Sequence, residues 1–114
     1  MGYWIYLDDN TTQNPIVTDE SRAEGGNYCL GGTNEAALNV TYNYSIFFNF
    51  RLLDGMSAEA GAKLLKAIIA KLKDDVDDNY WNPTEGNVKR CLQTLLDFAT
   101  YAINNNIKAH FTVH

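Results

Sequence analysis

Apolar and polar residues alternate from Tyr3 to Leu7. Tyr3, Ile5 and Leu7 fall on one face and Trp4 and Tyr6 on the other. A period of two predicts a strand, and its aromatic content suits a pleated, half-buried surface. Asp8 to Pro15 is polar and reads as a loop, with Ile16 to Thr18 as a short edge strand. The alternation returns from Ala37 to Tyr44. Leu38, Val40, Tyr42 and Tyr44 share one face, and Asn39, Thr41 and Asn43 the other. Beyond this point two readings compete. Ile46, Phe48 and Phe50 continue the alternation, or Ser45 caps a short helix from Ile46 to Leu53. The helix is the preferred reading. Asp54-Gly55 then forms a turn.

The period changes after Ser57. Leu64, Leu65, Ile68, Ile69 and Leu72 recur at helical spacing, while Lys63, Lys66, Lys71 and Lys73 lie mainly on the opposite side. This predicts an amphipathic helix running from a Ser57 cap to about Lys73, with Glu59 at its positive end and lysines at its negative end. A second helix opens at Asn82-Pro83-Thr84-Glu85. Asn82 serves as the cap, Pro83 as the first helical residue, and Glu85 reaches back to the cap. Its buried stripe is Val88, Cys91, Leu92, Leu95, Phe98, Ala99, Ala102 and Ile103, and Asn104 to Asn106 end it. Ile107, Ala109, Phe111 and Val113 alternate with Lys108, His110, Thr112 and His114 in a last strand. The order of elements predicts an α+β sandwich: a small, partly antiparallel sheet with both long helices packed on one face. No repeat or linker divides residues 1–114, so one domain is expected.

Composition narrows the function classes. With 114 residues and 46% apolar content, the chain can fill one core. Its net charge of −5 argues against sequence-independent nucleic-acid binding, which needs many Lys and Arg contacts to phosphate. No apolar run approaches the roughly 20 residues of a membrane span. Met1 to Asp9 lacks the basic start, long apolar stretch and cleavage site of a secretory signal, so a cytoplasmic setting is expected. There Cys29 and Cys91 stay reduced, and the Asn-x-Ser/Thr triplets at Asn10, Asn39 and Asn43 are chance matches.

Catalytic and metal signals are weak. Glu24 to Glu35 holds two Gly-Gly pairs but neither nucleotide-loop spacing, and reads as a structural turn. Cys91 sits on a buried helical stripe, the wrong place for a nucleophile, while Cys29 lies in the Gly-rich loop, where pairing with His110 or His114 near the chain end is the minor alternative. Asp75-Val76-Asp77-Asp78-Asn79 resembles the start of a calcium loop. However, Tyr80 stands where glycine is needed and Gly86 where the closing glutamate belongs. His110 and His114 share a strand face, roughly 13 Å apart at about 3.3 Å per residue, too far for an ordinary pair of metal ligands. No cofactor is expected.

One cluster of residues stands out. Tyr42, Tyr44 and Ser45 end a strand, and Trp81, Thr84, Glu85 and Asn87 lead into a helix whose next turn carries Arg90. Amide donors at a helix N-terminus favour anions, cations nearby add to that, and aromatic rings offer stacking faces. These residues form a candidate ligand pocket for a small anionic, nucleotide-like molecule. The alternative is that the rings are core and Glu85 only a cap.

Two stretches carry a resemblance: Gly31-Gly32-Thr33-Asn34-Glu35-Ala36-Ala37-Leu38-Asn39-Val40-Thr41-Tyr42-Asn43-Tyr44-Ser45, and the segment from Asp74 through Tyr80-Trp81-Asn82-Pro83-Thr84-Glu85-Gly86-Asn87 to Arg90. They resemble a group of small uncharacterised proteins of bacteria and their phages or prophages. The resemblance runs from about Gly25 to Leu96, and the tail from Thr100 onward departs from it. It carries over no catalytic residue. It implies a mobile-element setting, where small acidic proteins bind and block a host defence protein or its signal molecule.

The leading expectation is a non-catalytic binding protein, a phage-encoded antagonist of host defence. It either sequesters a small anionic signal in the aromatic pocket or offers Asp8, Asp9 and Asp74 to Asp78 to a basic partner protein. A small metal-assisted enzyme is the alternative. A structural protein with a homo-oligomer interface at Phe47, Phe48 and Phe50 is a third. Calorimetric titration should show no stoichiometric micromolar calcium or zinc binding, because the acidic turn lacks its glycine and closing glutamate. One micromolar site per chain would restore the metal-assisted reading.

Overall fold

A computed structural model describes residues 2–18, 28–29 and 35–114. The sheet holds β1 (Gly2–Asp9), β2 (Tyr28–Cys29), β3 (Ala37–Thr41) and β4 (Ala109–Val113), in the order β2-β3-β1-β4 and antiparallel throughout. The helices α1 (Ala58–Ile69) and α2 (Glu85–Asn104) pack on each other and on the sheet, giving the predicted α+β architecture.

Register explains the two faces of the sheet. Ile5 pairs with Leu38 on one side and Val113 on the other, and Leu7 pairs with Phe111. These five side chains and Val40 join Leu65, Val88, Leu92, Leu95 and Phe98 in the core between sheet and helices. The opposite face carries Trp4, Tyr6 and Asp8 beside His110, Thr112 and His114. The Gly-rich segment read as a turn lies outside the described residues except for Tyr28, Cys29 and Glu35. The segment read as an edge strand forms only bridges: Asp8 to Pro15 and Val17 to Glu35.

Several boundaries differ from the sequence expectation: β1 runs on to Asp9 through residues expected in the loop, β4 begins at Ala109 where Ile107 was expected, and four others differ for local reasons. β3 stops at Thr41, whose hydroxyl accepts from the Asn43 amide and starts a 3₁₀ helix, Tyr42–Ile46. The alternation therefore breaks, leaving Tyr42 exposed and Tyr44 buried. Between Ile46 and Leu53 there is no single helix. Ser45 lies inside the first 3₁₀ helix, and Asn49 caps a second one, Phe50–Leu53. α1 starts from its predicted cap, Ser57, but ends at Ile69, so Lys71 and Lys73 lie beyond its last turn and only Lys66 stands in it. α2 is capped by Thr84 instead of Asn82, because the Thr84 hydroxyl reaches the Asn87 amide; Pro83 lies outside the helix.

Close approaches fix how the layers meet. A Cβ on Gly61 would overlap the ring of Phe111, so α1 crosses β4 where it has no side chain. Gly55, at φ 84°, turns the chain so that its amide donates to Phe111 O at 2.8 Å and the following Met56 O accepts from Phe111 N at 2.8 Å. That pairing covers part of the open edge of β4.

Leu65→Ala and Leu95→Ala should each cost about 2–5 kcal/mol in urea denaturation, as large-to-small changes in a closed core. Costs below about 0.5 kcal/mol at both would place the stripes in solvent. Gly61→Ala should also destabilise, and a Phe111→Leu change beside it should recover part of the loss by vacating the ring's space.

Candidate functional site

The irregular chain between α1 and α2 is held by its own polar side chains. Asn87, 5% exposed, is the centre of this hub. Its Oδ1 accepts from the Asp77 amide at 2.9 Å, and its Nδ2 donates to Asn79 O at 3.2 Å and Asn82 O at 2.9 Å. Asp77 accepts from the Asn79 amide at 2.7 Å and from Asn82 Nδ2 at 2.9 Å. Asn79 in turn accepts from the Trp81 amide at 3.1 Å. Asp and Asn side chains that bond backbone one turn away hold a loop without regular structure.

The same residues close the anion site expected at the start of α2. Asp75 Oδ1 accepts from the Gly86 amide at 2.9 Å, and Thr84 Oγ1 accepts from the Asn87 amide at 3.1 Å. The Thr84 amide donates to Asn82 O at 2.9 Å. The protein's own carboxylate thus sits where a bound anion was expected. Gly86 permits this, since a Cβ there would stand 2.6 Å from the Asp75 carbonyl carbon. Lys89, a candidate cation beside the site, instead pairs with Asp74 at 2.8 Å. The Thr84, Gly86 and Asn87 amides are thus engaged within the chain, which weighs against the anion-binding role expected of this helix start.

The acidic run is tied to the backbone around it. Asp75 and Asp77 spend oxygens on backbone amides, and no metal-binding group of three His, Cys, Asp or Glu residues forms among the described residues. The Asp77 carboxyl is held below the usual range, first by the Asn79 backbone N–H and then by the Asn82 amide. Cys91 is buried in the core, and burial pushes its thiol up, so it is no nucleophile at neutral pH.

The structure does bring the two aromatic segments together. Tyr44 is buried, and its hydroxyl donates to Tyr80 O at 2.7 Å. The two rings meet at 5.8 Å, and Tyr80 meets Trp81 at 5.1 Å, both near edge-to-face. Asn43 Nδ2 donates to Trp81 O at 3.0 Å, and the Tyr80 hydroxyl to Asn39 O at 3.3 Å. Burial, first of all, pushes the Tyr44 phenol up, with smaller contributions from Cys91 and Tyr80, while Arg90 acts the other way. Tyr44 and Asn87 are therefore internal struts. Glu85 is half-buried in the first turn of α2.

What remains outside is apolar. Trp81 is 52% exposed, Tyr42 46% and Ile46 70%, with Arg90 also at the surface. Behind Tyr42 stands Tyr3, at 4.8 Å edge-to-face, with its hydroxyl 3.1 Å from Ser45 Oγ and Arg51 lying 5.3 Å over its ring. Sequence reasoning left Tyr3 out of this cluster and gave Asp75 and Asp77 other roles. The signal for Asp75 and Asp77 was present in the Asp/Asn spacing, which serves loop bonding here instead of metal.

Asn87→Ala should destabilise by about 3 kcal/mol, at ~1 kcal/mol for each side-chain hydrogen bond lost, whereas Asp75→Asn, which keeps an acceptor oxygen, should cost far less. Equal costs would show that the hub does not carry the loop. The depressed Asp77 gives a signed pH effect: its contribution is present above the ordinary carboxylate range and is lost as pH falls through it. Urea midpoints compared at about pH 6 and about pH 2.5 should therefore fall more for the wild type than for Asp77→Asn. No family model, no curated protein and no solved structure matches this chain, so its functional reading rests on the geometry above.

Proposed function

We propose that this protein is a non-catalytic binding protein that docks on a partner protein through the surface formed by Tyr42, Ile46 and Trp81. One observation carries the reading: large apolar side chains stand exposed on two segments that the Asn43 and Tyr44 side chains join by hydrogen bonds to Trp81 O and Tyr80 O. Exposed apolar clusters on a rigid frame mark interaction surfaces, and Trp, Tyr and Arg dominate binding energy at protein interfaces. A rigid frame also limits the ordering cost of association. The resemblance to proteins of bacteria, phages and prophages supports a host defence protein as the partner, which this protein would block by occupying its surface.

Sequestering a small anionic signal is the weaker variant, because the amides that would hold its charge are already bonded to Asp75 and Thr84. Metal-assisted catalysis gains no support from the carboxylates, which are turned to backbone amides.

Native mass spectrometry of protein purified from defence-expressing cells should show a bound protein mass and no small-molecule adduct. A folded Trp81→Ala, Ile46→Asp double variant should lose that partner by roughly tenfold or more in affinity, the loss of about 1.4 kcal/mol or more expected at an interface hot spot. Full partner binding by the folded double variant removes the surface from the function, and a stoichiometric small-molecule adduct in place of a protein returns the reading to sequestration.

A further inference from the structure

The sheet face turned away from the helices carries a second feature, apart from the aromatic surface. Tyr6, Asp8, Gln13, Pro15 and His114 line an open cleft of about 200 Å³. Ligand pockets for whole small molecules run from roughly 300 to 1,000 Å³, so this cleft suits one functional group more than a full ligand.

Its walls are set by β-sheet register. Tyr6 pairs with Thr112 in the antiparallel ladder, and Asp8 with His110, so Tyr6, Asp8, Thr112 and His114 share this face. Tyr6 is fixed from two sides: the Trp4 ring stacks at 6.2 Å and the His114 ring meets it edge-on at 5.6 Å. The rim is the tight turn after β1. Gln13 adopts φ 60°, its amide donates to Asp9 O at 2.8 Å, and its Nε2 donates to Asn10 O at 2.9 Å. The Gln13 side-chain oxygen stays available as an acceptor. Pro15 bridges back to Asp8 across the turn.

The floor is Asp8, only 9% exposed. Its Oδ2 accepts from the Thr112 hydroxyl at 2.7 Å, and no lysine or arginine among the described residues pairs with it. A carboxylate on a largely buried residue gains from a partner that compensates its charge, and the Thr112 hydroxyl supplies a single hydrogen bond. Asp8 and Tyr6 both line this cleft. A carboxylate beside an aromatic face selects cations, by direct ion pairing and by attraction to the ring's negative face. The overall charge of −5 adds a field of the same sign.

We propose that this cleft binds a guanidinium or alkylammonium group, with Asp8 as its counter-ion, Tyr6 as an aromatic wall and the Gln13 side-chain oxygen as a further acceptor. The site lies on the opposite face of the sheet from the helices and uses none of the residues of the partner-docking surface.

N-acetyl-arginine amide, titrated into the ¹⁵N-labelled protein, should give saturable shifts at Tyr6, Gln13, Thr112 and His114, with Kd on the order of 1–10 mM as befits one group in an open cleft. N-acetyl-citrulline amide has the same shape without the charge and should bind at least roughly tenfold more weakly. Asp8→Asn keeps an acceptor for Thr112 and should lose binding by a similar factor with its spectrum otherwise preserved. Should Asp8→Asn fail to fold, Tyr6→Leu provides the second reading, with weakened binding of the arginine probe expected. A capped Gly-Gly-Arg-Gly-Gly peptide that binds more tightly than the amide assigns the cation to a protein side chain, and equal binding assigns it to a small molecule. Citrulline binding as well as arginine, undiminished binding in folded Asp8→Asn or Tyr6→Leu, or shifts that never saturate would each overturn the proposal.

Discussion

The Asn87 side chain holds together a stretch of chain that has no regular structure of its own. A buried amide group has few donors and acceptors, and here three of them meet backbone groups of Asp77, Asn79 and Asn82. Because Asn87 belongs to α2 and those residues lie before it, one side chain fixes the loop to the helix it leads into. Tyr80 and Trp81 lie inside that loop, so their positions follow from the same bonds. Tyr44 then reaches Tyr80 O and couples the loop to the end of β3. Leaving any of these buried polar groups unpaired costs more than the bond itself contributes, so the arrangement resists partial loosening.

That constraint decides what the site is able to do. A helix N-terminus with free amides attracts anions, but α2 has Asp75 and Thr84 on its first amides. The carboxylates that look like metal ligands in sequence act as loop anchors. The polar groups of the junction are largely paired with one another, and Tyr42, Ile46 and Trp81 stand exposed outside it. The acidic character of the chain does more on the far side of the sheet, where Asp8 stands almost buried beside Tyr6.

Much of the fold was legible in the chain. Strands with one buried face and helices with one apolar stripe have distinct periods, and both long helices, most of their stripes and the first and last strands followed from them, although Ile103, expected in the buried stripe of α2, is exposed and Leu72 lies beyond the end of α1. The Ser57 cap was legible because a hydroxyl before a helical run has one obvious partner. The cap of α2 was not, since Asn82 and Thr84 both carry suitable oxygens two residues apart and Asp75 brings another from eleven residues before Gly86. Which oxygen meets which amide depends on the path of the loop, and no local period encodes it. The segment from Tyr42 to Leu53 failed for a related reason: its aromatic residues alternate, but Thr41 and Asn49 side chains capture the backbone into 3₁₀ helices.

The sequence by itself determined the α+β class, the core stripes, the absence of a strong catalytic motif and the approach of two aromatic segments to one helix start. These are consequences of periodicity and residue type, which are written along the chain. Only the tertiary structure decided that Tyr44 is an internal strut while Trp81 faces outward, that Asp75 occupies the expected anion site, and that Asp8 shares a cleft with Gln13 and His114. Each of these depends on which groups from distant positions arrive within hydrogen-bonding or van der Waals reach, and strand register and loop path set that.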